Sequence, residues 1–183
     1  MVGSILDAEI NIPGYNLTRK DRNSSGGGVC IYVQEDLAFN PKNDLENEQL
    51  EAIWIDLLLK KTAPITIGCV YRPPHQNDFM QCFDNILSNF SIDNELIVLG
   101  DINIDLRPNR NSNLAKNYKE VLKNHGLKQI IVDPTRKTNT CSSLIDHIVV
   151  SKQCNILQSG VLPTSISDHC TIFCTRKLYI GNR

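Results

Sequence analysis

Polar side chains able to do acid–base or metal chemistry follow the apolar run at residues 96–99. Gly100 comes first, and then Asp101 and Asn103 stand two residues apart. In extended backbone such a pair points to one side. A carboxylate can orient or deprotonate a water, and an amide can donate to a phosphate oxygen. Because Asp and Asn also favour turns, a capped turn is the alternative interpretation.

A second candidate is Asp146, which interrupts the apolar segment at residues 143–148. A charge in such a segment normally needs a partner, and His169 could supply it. A carboxylate that accepts from one ring nitrogen fixes the tautomer and favours a protonated imidazole poised over a phosphate. The alternative is an exposed carboxylate at a sheet edge. His147 should point to the opposite face and be structural.

His169 ends the run Ser167-Asp168-His169 at the expected start of a strand. These residues could cap the strand or belong to an acid–base site. A Ser-His-Asp hydrolase is conceivable by residue type. However, the G-x-S-x-G turn is absent, and Ser167 is too close in sequence to His169 to suggest that arrangement.

Tyr71 and Arg72 directly follow another strand-like segment, and both can donate to phosphate oxygens. The alternative is a Tyr–Arg surface stack before the turn at Pro73 and Pro74. Other basic residues either form solvated surface or flank a groove that follows a phosphate backbone. They are Arg19, Lys20, Arg22, Arg107, Arg110, Arg136 and Lys137.

The segments between these residues must position them. Apolar patterns predict strands near residues 29–33, 50–59, 65–71, 96–99, 144–150, 156–161 and 170–175. Apolar residues at helical spacing predict helices near residues 79–90 and 114–125. Frequent strands with helices between some of them predict mixed α/β sheets. In such folds ligands bind where strands end.

Composition narrows the function classes. The 183 residues, 41% hydrophobic and 21% charged, predict one soluble domain over residues 1–183. No run approaches a membrane span and no secretory signal is present, so an intracellular protein is expected. A net charge of -1 argues against a pure nucleic-acid clamp, but not against a nuclease that holds a metal. Seven cysteines without a C-x-x-C pair predict free thiols rather than a zinc site.

The order of the motifs, from about residue 5 to about residue 175, resembles the endonuclease domain of non-LTR retrotransposons. That domain is a branch of the endonuclease/exonuclease/phosphatase superfamily. The motifs are Ile12-Pro-Gly-Tyr15, Arg19-Lys-Asp-Arg22, Gly26-Gly-Gly-Val-Cys-Ile-Tyr-Val33, Tyr71-Arg-Pro-Pro74, Gly100-Asp-Ile-Asn103, Pro134-Thr-Arg136, Ser143-Leu-Ile-Asp-His-Ile148 and Ser167-Asp-His169.

The resemblance implies a four-layer α/β sandwich with two packed mixed β-sheets. It implies DNA as the partner and hydrolysis of its phosphodiester bonds with Mg²⁺, or with Mn²⁺ as the alternative, leaving 3′-hydroxyl and 5′-phosphate ends. The resemblance further implies that the protein acts in the nucleus. Neither a membrane nor an obligate protein partner is expected. A phosphomonoesterase of inositol or lipid substrates, also found in this superfamily, fits the motif order less well.

The resemblance also assigns roles to residues. Asp101 would orient or deprotonate the attacking water, with support from Asn103. His169 would contact the scissile phosphate, with Asp146 behind it. Such positioning and charge neutralisation are what phosphoryl transfer depends on.

Five more residues complete the expected site. Asp168 matches the acidic residue near the metal, and Tyr71 matches a phenol that contacts the phosphate. Thr135 and Ser167 match hydroxyls that line the cleft. Arg72, beside Tyr71, is expected to bind DNA phosphate.

The departure from the family pattern lies at the N-terminus. The family domain opens with a strand, a helix and a second strand that ends in a metal-binding Glu, and Met1 begins after these. Glu9 aligns with the following loop and is not carried over as that ligand. We therefore expect the first strands and the first helix to be missing and catalysis to be impaired. The alternative is an inactive remnant or a DNA-binding fragment, and no reverse transcriptase is expected after Arg183.

Overall fold

The computed structural model describes residues 6–22, 27–91, 93, 95–110 and 112–177. Ile5 and Gly26, where the resemblance and one of its motifs begin, lie outside these residues. Strands and helices alternate irregularly, which confirms the α/β class. The elements are β1 (Tyr15–Asp21), β2 (Gly28–Gln34), β3 (Ala38–Pro41), β4 (Glu51–Leu58), β5 (Ile65–Tyr71), α1 (Phe79–Leu87), β6 (Glu95–Asp101), α2 (Asn113–Asn124), β7 (Leu127–Gln129), β8 (Arg136–Lys137), β9 (Ser142–Ser143), β10 (Asp146–Ser151), β11 (Ile156–Leu162) and β12 (Thr171–Arg176).

A six-stranded mixed sheet, in the order β3-β4-β5-β6-β10-β7, forms the centre of the molecule. β5 and β6 run parallel, whereas every other neighbouring pair in this sheet is antiparallel. A parallel pair needs a crossover, and α1 supplies it. The sequence thus folds so that β5 and β6 end at the same edge of the sheet.

The two helices cover one face of this sheet, where alternate strand residues meet them in the main core. Trp54, Phe83 and Tyr118 are among the large side chains buried there. Ser112 begins α2 by accepting a hydrogen bond from the Ala115 amide at 3.1 Å, as an N-cap does. No helix in the described part of the chain is long and apolar enough to cross a membrane.

Two hairpins cover the other face of the sheet. β1 pairs with β2, and the inward side of β2 packs Val33 against Ile53 and Ile55 of β4. β11 pairs with β12, whose Ile172 packs against the cluster around Ile148. Within the described residues the hairpins form two separate sheets, so the expected second sheet appears as two pieces. The fourth layer of the expected sandwich stays a prediction.

All seven cysteines are free, as the sequence predicts. Cys30 and Cys141 are exposed, whereas Cys82 lies on the buried side of α1. None of them belongs to the cluster of possible metal ligands found among the described residues. The cysteines therefore take no part in the site described next.

Candidate active site

Four polar side chains lie in one row across the end of the central sheet. Glu51 of β4 faces Tyr71 of β5, and Asp101 of β6 faces Asp146 of β10. The Arg72 amide donates to the Asp101 carbonyl at 2.9 Å and joins the two halves of the row. Side chains alternate along a strand, so all four point toward the hairpin face. The row brings together residues separated by almost a hundred positions.

The turn after β6 fixes Asp101 and Asn103. Gly100 has φ 150 and Asn103 has φ 51, so the backbone bends sharply on both sides of Asp101. The Asn103 amide N–H donates to the Asp101 carboxylate at 3.1 Å. The Asn103 side chain donates to the Arg72 carbonyl at 2.9 Å. Asp101 and Asn103 therefore do form the turn that was the alternative interpretation, and this turn is also what positions them in the candidate site.

Asp146 and His169 meet as the sequence predicts. Both Asp146 oxygens lie 3.1 Å from His169 Nδ1. Behind them, the Thr135 hydroxyl accepts hydrogen bonds from the Ile145 and Asp146 amides at 3.1 and 3.0 Å. Thr135 is 0% exposed, so in this structure its hydroxyl holds Asp146 and does not line the cleft.

Asp101, Asp146 and His169 form the cluster best able to hold a cation. Each offers a ligand atom, and these atoms all lie within 4.8 Å of one another. Burial, and then the nearby charge of Asp146, raise the pKa of Asp101, while hydrogen bonding from Asn103 and the proximity of His169 partly offset this rise. Two crowded carboxylates are the arrangement that a divalent cation relieves.

Asp168 and Ser167 lie beside this cluster. Asp168 accepts a hydrogen bond from Arg136 Nε at 2.7 Å, and this bond lowers the pKa of the Asp168 carboxyl. The Ser167 hydroxyl accepts from the His169 amide at 3.1 Å and so shapes the loop that carries the imidazole. Asp168 is exposed and faces Arg136, so its role as a metal ligand stays a prediction.

Arg72 does not reach the cleft, contrary to its expected contact with DNA phosphate. It is 3% exposed, and its guanidinium donates to main-chain carbonyls of two loops. The acceptors are the carbonyls of Ile102 (3.5 Å), Asn103 (3.3 Å), Pro74 (3.4 Å) and Gln76 (3.0 Å). Burial lowers the pKa of Arg72. These contacts tie the turn that bears Asn103 to the loop after β5.

His147 is structural, as the sequence predicts. It is buried on the helix face, and its ring stacks on Tyr118 with 5.4 Å between centroids. Its Nε2 donates to the Leu144 carbonyl at 3.2 Å. Burial lowers the pKa of His147 to about 4, so the ring is neutral at pH 7.

Glu51 belongs to the site surface although the sequence analysis did not single it out, and it pairs with Arg22, one of the basic residues expected to flank a groove. Arg22 Nε and Nη2 donate to the two Glu51 oxygens at 2.7 and 3.2 Å. The Arg22 guanidinium lies 4.9 Å from the centroid of the Tyr71 ring. Glu51 could have been found, because it shares the strand face of Ile53 and Ile55 and is the only charge at its start.

Two surface clefts of ≈ 560 and ≈ 600 Å³ meet at Val132, beside the edge strand β7. None of the predicted site residues lines either cleft. The candidate chemistry therefore lies on the sheet end and its loops, away from these clefts.

Comparison with known proteins gives a family and a fold. Residues 4–169 match the model of the "Endonuclease/Exonuclease/phosphatase family". No curated protein matches the sequence. Among solved structures, the endonuclease domain of TRAS1, a telomere-specific non-LTR retrotransposon, is similar with TM-score 0.78 and 14% identity, over 92% of this chain and 82% of that one.

Two further structures show the range of similar proteins. An AP endonuclease from Archaeoglobus fulgidus has TM-score 0.68 and 13% identity, over 95% of this chain and 84% of that one. The human Nocturnin catalytic domain, with bound sulfate, has TM-score 0.57 and 19% identity, over 88% and 73%. At these identities the likeness concerns the fold.

Proposed function

Because the chain belongs to the endonuclease/exonuclease/phosphatase family, we propose that it hydrolyses phosphodiester bonds of DNA in a reaction that depends on a divalent metal. The observation that carries this proposal is the convergence of Asp101, Asp146 and His169, whose ligand atoms lie within 4.8 Å of one another. Side chains from three distant parts of the chain meet there at the end of one sheet. Such convergence is what phosphoryl transfer requires, since its catalysis rests on positioning and charge.

Asp101 is the candidate base for the attacking water. Its raised pKa makes it a better proton acceptor than an ordinary carboxylate. The backbone N–H of Asn103 holds one of its oxygens, which leaves the other free for the water or for a cation. The strained turn after Gly100 thus presents one carboxylate in a fixed direction.

His169 is the candidate contact to the phosphate. Asp146 accepts from its Nδ1, so the Nε2 edge of the ring is left to face a substrate oxygen. A hydrogen-bond donor at this edge would stabilise the charge that develops on the phosphate in the transition state. Thr135 keeps Asp146 in place from behind through two amide hydrogen bonds.

The donor set fits a hard divalent cation. Mg²⁺ binds through one or two carboxylates together with substrate oxygens, and Mn²⁺ accepts similar ligands. Asp101 and Asp146 would hold the ion, with His169 beside it. Such an ion supplies Lewis-acid activation and neutralises charge on the phosphate.

DNA is the favoured substrate among those acted on by related folds. The motif order resembles retrotransposon endonucleases, and the similar structures include a retrotransposon endonuclease domain and an AP endonuclease. The family also contains phosphatases by its description, so other phosphate esters are the alternative. Binding of DNA with little cleavage is a second alternative, since Asp168 is engaged by Arg136.

Nicking of supercoiled plasmid in Mg²⁺ or Mn²⁺ tests the proposal. Asp101→Asn should lower the rate by about 10²- to 10⁴-fold, the usual contribution of a general base. Asp84→Asn is the control for loss of a carboxylate outside the site, because Asp84 pairs with His125 at 2.7 Å in the way that Asp146 pairs with His169. Equal rates for wild type and Asp101→Asn, or wild-type nicking that survives EDTA, would contradict the proposal. DNA binding without nicking would support the binding-only alternative.

A further inference from the structure

Arg22 and Glu51 lie at the opposite end of the row from Asp146, which holds His169. Arg22 leaves β1 and makes a two-point contact with Glu51, at 2.7 and 3.2 Å. The Glu51 side chain is 11% exposed, whereas that of Arg22 is 40% exposed. A nearly buried acid thus holds a guanidinium that is partly exposed to solvent.

Tyr71 separates this guanidinium from the reacting group. Arg22 lies over the Tyr71 ring, and Tyr71 is the register partner of Glu51. Asp101 is on the next strand, so Glu51 and Asp101 are two strand spacings apart, about 10 Å. One phosphate cannot bridge that distance. Two phosphates of the same strand can, because they recur along the chain at short intervals.

The charges around Arg22 suit a phosphate of the backbone. Nε and Nη2 are used by Glu51, which fixes the plane of the fork. A planar guanidinium held in this way loses little freedom when it binds phosphate oxygens. Arg72 cannot bind such a phosphate, because its guanidinium is buried and donates to main-chain carbonyls.

We propose that Arg22, positioned by Glu51, binds a phosphate that flanks the scissile one on the same strand. The substrate is then a polynucleotide strand, and neither a phosphomonoester nor a small diester fills the site. This inference rests on the proposed hydrolysis at Asp101 and His169 for its register. Arg22 itself binds whether or not cleavage follows.

The test compares two substrates with the double variant Arg22→Gln/Glu51→Gln, which removes both charges and leaves no buried carboxylate unpaired. One substrate is a 12-nucleotide single strand, as DNA and as RNA, and the other is bis(p-nitrophenyl) phosphate. We expect kcat/KM on the 12-mer to fall about 10- to 100-fold, as for loss of a charged hydrogen bond. The loss on the small diester, which carries no flanking phosphate, should be much smaller.

The matched control is Arg176→Gln/Glu95→Gln. Arg176 also makes a two-point contact, with Glu95 at 2.6 and 2.5 Å, at the opposite end of β6. This control should leave kcat/KM on both substrates unchanged. An equal loss on both substrates in the Arg22 variant would overturn the inference, because Arg22 would then only support the shape of the site. No loss on either would overturn it as well.

Binding separates this inference from the proposed function. Fluorescence anisotropy of the labelled 12-mer in EDTA gives the affinity at several salt concentrations. Loss of one phosphate contact should reduce the slope of log affinity against log salt by about 0.7. An Arg22-dependent slope without any cleavage would sustain this inference and end the proposal of hydrolysis. Cleavage by the wild type, together with a salt slope that is the same in the wild type and the Arg22 variant, would sustain the proposed hydrolysis and overturn this inference.

Discussion

Gly100→Ala should break the link between the central sheet and the candidate site. Gly100 has φ 150, a conformation that side chains rarely adopt. A Cβ there would overlap the carbonyl oxygen of Val70 and lie 2.8 Å from its carbonyl carbon and 3.1 Å from its nitrogen. These are backbone atoms of the neighbouring strand, so they cannot swing aside as a side chain would.

The cost follows from these two effects. A side chain held in this backbone region costs about 1–3 kcal/mol, and overpacking of fixed atoms costs about 1–3 kcal/mol more. We expect a loss of about 4 kcal/mol in the free energy of unfolding. For a chain of this length the Tm should fall by about 8–16 °C. Because Asp101 follows directly, nicking activity should be lost even where the protein remains folded.

Gly14→Ala is the matched control. Gly14 also has a positive φ, of 85, but no atom lies within 4 Å of the position that a Cβ would take. It should lose only the conformational part, about 1–2 kcal/mol. Urea and thermal unfolding of the two variants measure the difference. If Gly100→Ala is no less stable than Gly14→Ala, or keeps wild-type activity, the contact with Val70 does not position Asp101.

Three other variants test the electrostatics. Burial raises the pKa of Asp101, so ionisation of this carboxyl lowers the stability of the folded state as pH rises above 3.8. Asp101→Asn should therefore have a higher Tm than wild type at pH 7 in EDTA, and the difference in Tm should vanish at about pH 3. Arg72→Met should cost about 2–4 kcal/mol in urea unfolding because buried carbonyls lose their donor, whereas weaker DNA binding at unchanged stability would show a substrate contact. The pKa of His147 falls from 6.5 to about 4 on folding, so stability should decrease as pH is lowered from 6.5 to about 4. His147→Gln should reduce this dependence of stability on pH and should keep nicking activity at pH 7.

Residue type and strand-end position were enough to predict part of the site. Asp146 inside an apolar strand required a partner, and His169 proved to be that partner at 3.1 Å. The alternation around residues 50–59 likewise gave β4 and its inward face. β1 was not predicted, because Tyr15–Asp21 is largely polar and partly exposed and so has no apolar period.

The direction of a polar side chain at a strand end could not be predicted. Tyr71 and Arg72 are neighbours, so one turns to the hairpin face and the other turns under the loop after β6. Either could have been the residue on the cleft. Thr135 posed the same problem, since its hydroxyl satisfies two amides that lie ten and eleven residues further along the chain. Such choices depend on long-range hydrogen bonds that a sequence pattern does not record.

The strand order also has a consequence for synthesis. β10 lies between β6 and β7, although β7 precedes it in the chain. As the chain leaves the ribosome, β6 has one unpaired edge until residues 146–151 emerge, and β7 has no partner until the same moment. An apolar edge exposed in this way attracts other chains. While synthesis pauses before β10, the edges of both β6 and β7 that β10 will cover stay open. Addition of these six residues closes the sheet and brings Asp146 to Asp101 in one step.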